Sequence, residues 1–140
     1  MKRRWLSVIG GFFLLTATGL AVALVRAEEF SNVHGLTAGL LGLVGLLFVI
    51  AGEGRSVAGF EWNQLGGMGH IILGCWFAFQ AGTFVPQETG SVELILIGAF
   101  VLGGLVFVFI GVDWFRGGRH FDVTSLEPGR LRADRDTDGR

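Results

Sequence analysis

Apolar residues fill four stretches of this chain, 5–25, 35–51, 68–85 and 92–112, separated by short connections richer in polar residues. None alternates with the period of two expected of a half-buried strand. At about 1.5 Å per helical residue, each stretch approaches the ~30 Å hydrocarbon thickness of a bilayer. The pattern predicts an all-α integral membrane protein with four transmembrane helices. The connections are too short to fold alone, so residues 1–116 read as a single four-helix transmembrane domain. Residues 117–140 lose the periodicity, are rich in Arg, Asp and Gly, and read as a disordered cytoplasmic tail.

Glycine, at 24 residues, refines this picture, because most of it lies inside the apolar stretches. Lipid gives helices little hydrophobic reason to pair, so close backbone approach along small-residue stripes must supply the attraction. Such stripes run through Ser7, Gly11 and Thr18; through Gly35, Gly39 and Gly42; through Gly74, Ala78 and Gly82; and through Gly104 and Gly111. An antiparallel, Gly-rich bundle is the predicted packing. A shift of 59 positions aligns the second stretch with the fourth, pairing Gly39/Gly98, Leu43/Leu102, Gly45/Gly104, Leu46/Leu105, Phe48/Phe107, Val49/Val108 and Gly52/Gly111. The same shift aligns the first with the third only weakly, at Leu6/Leu65, Gly10/Gly69 and Leu14/Leu73. This suggests two duplicated helical hairpins related by an axis along the membrane normal.

Charge sets the orientation. Lys2, Arg3, Arg4, Arg55, Arg116 and Arg119 fall on one side with the arginines of the tail, and only Arg26 falls on the other, beside Glu28, Glu29, Glu88 and Glu93. By the positive-inside rule the protein is a multi-pass protein of the cell membrane with both termini cytoplasmic. Trp5, Trp62 and Trp114 stand near the cytoplasmic interface, where amphipathic rings are favoured. The first stretch is longer than the apolar region of a signal peptide, so an uncleaved helix is expected despite small-residue sites at Ala23 and Ala27. The apolar side chains between Glu53 and Gly67 suit a short segment lying on the headgroups.

Few polar groups reach membrane depth, and each is a candidate site because unpaired polar groups are costly there. Gln80, Thr16 and Thr18 fall at similar depth, ~18 Å from the cytoplasmic end by the helical rise, and could form one interhelical polar layer. His70 and Asp113 both lie near the cytoplasmic ends of their helices, and their pairing is expected to be structural rather than pH-sensing. His34 starts the second helix on the outer side, so it cannot share a haem or metal with His70. Cys75 is the lone cysteine, without a CxxC or Cys/His cluster, and reads as a small buried apolar side chain.

No GxSxG, HExxH, P-loop or carboxylate dyad is present, so no enzyme is expected, and no cofactor or metal site either. A net charge of −1 gives no field for nucleic acid. The expected partners are the lipid bilayer and another membrane protein, or the chain itself as a homo-oligomer. The leading functional expectation is a non-catalytic component or stabilising subunit of a membrane complex. A small oligomeric transporter or channel subunit is the alternative, and it would need a continuous polar lining.

Overall fold

The computed structural model describes residues 3–27, 32–84 and 90–121. Four helices account for nearly all of them: α1 (Arg4–Ala27), α2 (Asn32–Glu53), α3 (Trp62–Phe84) and α4 (Ser91–Phe115). α1, α2 and α4 are long and apolar enough to cross a membrane. α3 is diluted by Asn63, Gln64, His70 and Gln80 and is not among them. Glu28, Glu29 and Glu88, and the tail from 122 onward, lie outside the described residues.

Each helix starts before its apolar stretch, and α3 does so most, six residues before position 68. Local chemistry explains the early start. The backbone N–H of Glu61 donates to Oε1 of Gln64 at 3.0 Å, half of a capping box that supplies an acceptor at a helix start. The preceding connection is correspondingly short and tight. Val57 and Phe60 exchange both backbone hydrogen bonds, at 3.1 and 3.0 Å, around Ala58 (φ 54°) and Gly59 (φ 83°). Two central residues at positive φ make a type I′ turn. The segment expected to rest on the headgroups is therefore partly a tight turn and partly the first turns of α3.

α4 stops through the Schellman pattern. Gly118 N–H donates to the Asp113 carbonyl at 2.8 Å and Gly117 N–H to the Trp114 carbonyl at 3.0 Å. Gly117 takes φ 95°, a conformation that strains residues with a Cβ.

The helices pack in a row. α1 lies against α2, α2 against α3 and α3 against α4, and the two end helices share no substantial interface. Two antiparallel hairpins thus stand side by side, joined along α2 and α3. The core gathers at that joint, with Leu41, Val44, Phe48 and Ala51 of α2 meeting Leu65 and Leu73 of α3.

Within each hairpin the approach is backbone to backbone. A Cβ on Gly10 would lie 2.6 Å from the Gly45 carbonyl oxygen and 2.7 Å from Val49 N. A Cβ on Gly74 would lie 2.6 Å from the Gly104 oxygen and 3.0 Å from Val108 N. Reciprocally, Gly45 faces the Gly10 oxygen and Leu14 N, and Gly104 faces the Gly74 oxygen and Ala78 N. Gly52 lies against Ser7 N, and Gly111 against Ile71 N. The Phe13–Phe48 ring contact at 6.1 Å matches Phe77–Phe107 at 5.4 Å.

These contacts equate α2 with α4 at a shift of 59 and α1 with α3 at a shift of 64. The α1/α3 register read from sequence is therefore corrected by five residues. At the contact-derived register Gly10/Gly74, Phe13/Phe77 and Ala17/Ala81 coincide. The two shifts differ because the paired glycines Gly10 and Gly45 stand five residues further apart along the chain than Gly74 and Gly104, so the second hairpin closes over a shorter length of chain, which a single rigid shift cannot follow.

Candidate functional site

The expected mid-depth polar layer is not assembled. Thr16 Oγ1 donates to the Phe12 carbonyl at 2.9 Å and Thr18 Oγ1 to the Leu14 carbonyl at 2.8 Å, each on its own helix and facing outward. Gln80 is on α3, which does not pack against α1. α2 therefore stands between Gln80 and the two threonines.

The expected His70–Asp113 pair does not form either. His70 Nδ1 lies 2.8 Å from the carbonyl of Gly66, one turn back on α3. A carbonyl only accepts, so Nδ1 carries the hydrogen. The imidazole sits among aromatic rings, 4.8 Å from Phe48, 5.1 Å from Trp114 and 6.1 Å from Phe107. It fills the junction of α2, α3 and α4 as a ring among rings.

Asp113 turns the other way. Its carboxylate accepts from His120 N–H at 3.1 Å, Phe121 N–H at 3.0 Å and His120 Nδ1 at 2.9 Å. A buried carboxylate at a helix C-terminus opposes the helix dipole, and these donors offset that cost. They also fold residues 117–121, the start of the expected tail, back over the end of α4. His120, within that tail segment, is half of the clasp.

The starts of α1 and α3 and the ends of α2 and α4 thus form a polar cluster above the aromatic junction. Arg3 Nε donates to the Gly52 carbonyl at 3.4 Å, and its guanidinium carbon stands 5.7 Å from the Trp62 ring centroid. Trp62 meets Trp114 edge-on at 6.3 Å. Asn63 Nδ2 donates to the Trp114 carbonyl at 3.1 Å. Exposed carbonyls at the ends of α2 and α4 are thereby satisfied by side chains from the starts of α1 and α3. Asn63 Oδ1 and Trp76 Nε1 are buried without a partner among the described residues. The arrangement ties helix ends together; among the described residues no group of His, Cys, Asp and Glu could hold a metal ion.

The packing glycines divide. Gly74, Gly104 and Gly111 sit at backbone contacts, while Gly11, Gly39 and Gly82 have nothing within 4 Å among the described residues. Gly42 makes only an ordinary contact with Ala17 at 3.7 Å, and Gly35 lies half-buried in the first turn of α2. Gly10, Gly45, Gly52 and Gly67 carry close contacts that the stripe reading passed over. The missed signal was the pairing of glycines between consecutive helices; regular spacing within one helix was the weaker guide. Cys75, expected to be buried, is exposed, one position beyond Gly74.

The chain belongs to a family of unknown function (DUF7994), whose model matches residues 1–127. No curated protein and no solved structure matches it.

Proposed function

We propose that this is a four-span protein of the cell membrane, with both termini cytoplasmic, that serves as a non-catalytic component or stabilising subunit of a membrane complex. The observation that carries the reading is how its membrane-depth surfaces are used. Inside each hairpin, backbone packs on backbone at glycine, and the α1 threonines are satisfied by their own helix. That leaves broad apolar faces on α1 and α4, including Phe12, Leu15, Ile95 and Leu102, to meet lipid or protein. α3 crosses as the shielded member, flanked by α2 and α4, which allows it more polar residues than its neighbours.

The test has two parts. Reporter fusions at each terminus should both report the cytoplasm, and alkaline carbonate should leave the protein in the membrane; a periplasmic or external reading at either end overturns the topology. Purification in mild detergent should then yield a stoichiometric membrane partner. Solute flux through vesicles holding only this protein would overturn the component reading in favour of transport.

A further inference from the structure

The two hairpins make the same internal contacts, and the joint between them uses α2 of the first and α3 of the second. Each end helix is therefore the counterpart of a helix at that joint: α4 corresponds to α2, and α1 to α3. Resting on the membrane reading above, we propose that a second copy of this chain docks its α1 edge on the α4 edge of the first, forming a second joint of the α2–α3 kind.

The faces correspond position by position, with Phe107 repeating Phe48 and the other residues differing in type. At the built joint, a Cβ on Gly69 would lie 2.6 Å from the Phe48 ring, and Gly66 faces Ala51 at 3.7 Å. Leu73 belongs to the same core as Phe48, with Trp76 packed against it. The α1 counterparts of Gly69, Leu73 and Trp76 are Trp5, Ile9 and Phe12, exposed to 55%, 37% and 66%. The α4 counterparts of Val44, Phe48 and Ala51 are Gly103, Phe107 and Ile110, all only half-buried, whereas Val44, Phe48 and Ala51 are nearly inaccessible.

Lipid covers any apolar face without preference. These two differ from the rest of the surface because they hold the positions of the two halves of an interface that the chain already builds once. A side chain used heterologously in this way finds its complement on another copy. The second joint interlocks in its own way, since Trp5 stands where α3 has Gly69 and Gly103 stands where α2 has Val44.

Disulfide trapping tests the proposal in the full-length chain, in native membrane vesicles, with Cys75→Ala to remove the exposed native thiol. Trp5→Cys with Phe107→Cys should shift the protein from the monomer band to a cross-linked multimer on mild oxidation. Because α1 and α4 do not pack within one chain, such a link must join two copies. Ile9→Cys with Gly103→Cys is the second pair, should the first fail to accumulate. Leu15→Cys with Leu105→Cys, in which Leu105 stands on the opposite side of α4 from Phe107, should stay monomeric. A protein that remains in the membrane yet stays monomeric with both test pairs overturns the inference, as does equal cross-linking of the control. Release by alkaline carbonate would instead overturn the membrane reading on which it rests, so the two failures are distinguishable.

Discussion

Gly104 and Gly39 are the same residue in similarly apolar helices, and their surroundings assign them opposite roles. Gly104 has the Gly74 carbonyl oxygen 2.9 Å from where a Cβ would stand, and Gly39 has open space there. Backbone cannot move aside as a side chain can, so Gly104→Ala must push α3 and α4 apart. Overpacking of this kind costs about 1–3 kcal/mol, and unfolding titrated with SDS in mixed micelles should show a loss in that range. Gly39→Ala should leave the same titration unchanged or improve it by up to ~1 kcal/mol, since glycine is the poorer helix former. Ala58 offers a gain of another kind: its φ of 54° is costly for alanine and natural for asparagine. Ala58→Asn should raise the unfolding midpoint, and an unchanged or lower midpoint would show that the turn carries no strain.

At the level of helices and their ends, the apolar stretches located all four helices, three of them long and apolar enough to cross a membrane. Their ends were less legible, because ends depend on single hydrogen bonds. The Glu61/Gln64 cap and the paired glycines after Arg116 are short signals that an apolar count overlooks. The candidate pairs failed for a related reason. Depth along a helix can be counted from sequence, but which helices are neighbours cannot. Thr16 and Gln80, placed at one depth by that count, are separated by α2, and Asp113 found its donors seven and eight residues along its own chain. The Asp113 clasp yields a prediction at this scale. Asp113→Ala removes the acceptor for the His120 and Phe121 amides, so hydrogen exchange at both should accelerate while α4 amides before Gly111 stay protected. Unchanged exchange at His120 and Phe121 would mean that the clasp does not persist in solution.

Across the whole molecule, the stability of the joint should differ from that of the hairpins it connects, because the two are built differently. Hairpins are held by close backbone approach at Gly10/Gly45 and Gly74/Gly104. The joint is held by side chains, with Phe48 inserted over Gly69 and against His70. Phe48 is 2% exposed, and its counterpart Phe107 is only half-buried in the single chain. Truncating a buried phenylalanine costs about 3–5 kcal/mol, so Phe48→Ala should destabilise by an amount in that range. Phe107→Ala should cost clearly less in a monomeric preparation. The loss at Phe48 should also be specific to the joint: proteolysis between α2 and α3 should quicken while each hairpin survives as a resistant fragment. Equal destabilisation by the two substitutions, or simultaneous digestion of both hairpins, would show a single cooperative unit with no weaker seam. The comparison gains a further reading if the second copy docks as proposed, since the cost of Phe107→Ala should then rise with protein concentration in the membrane while that of Phe48→Ala stays constant.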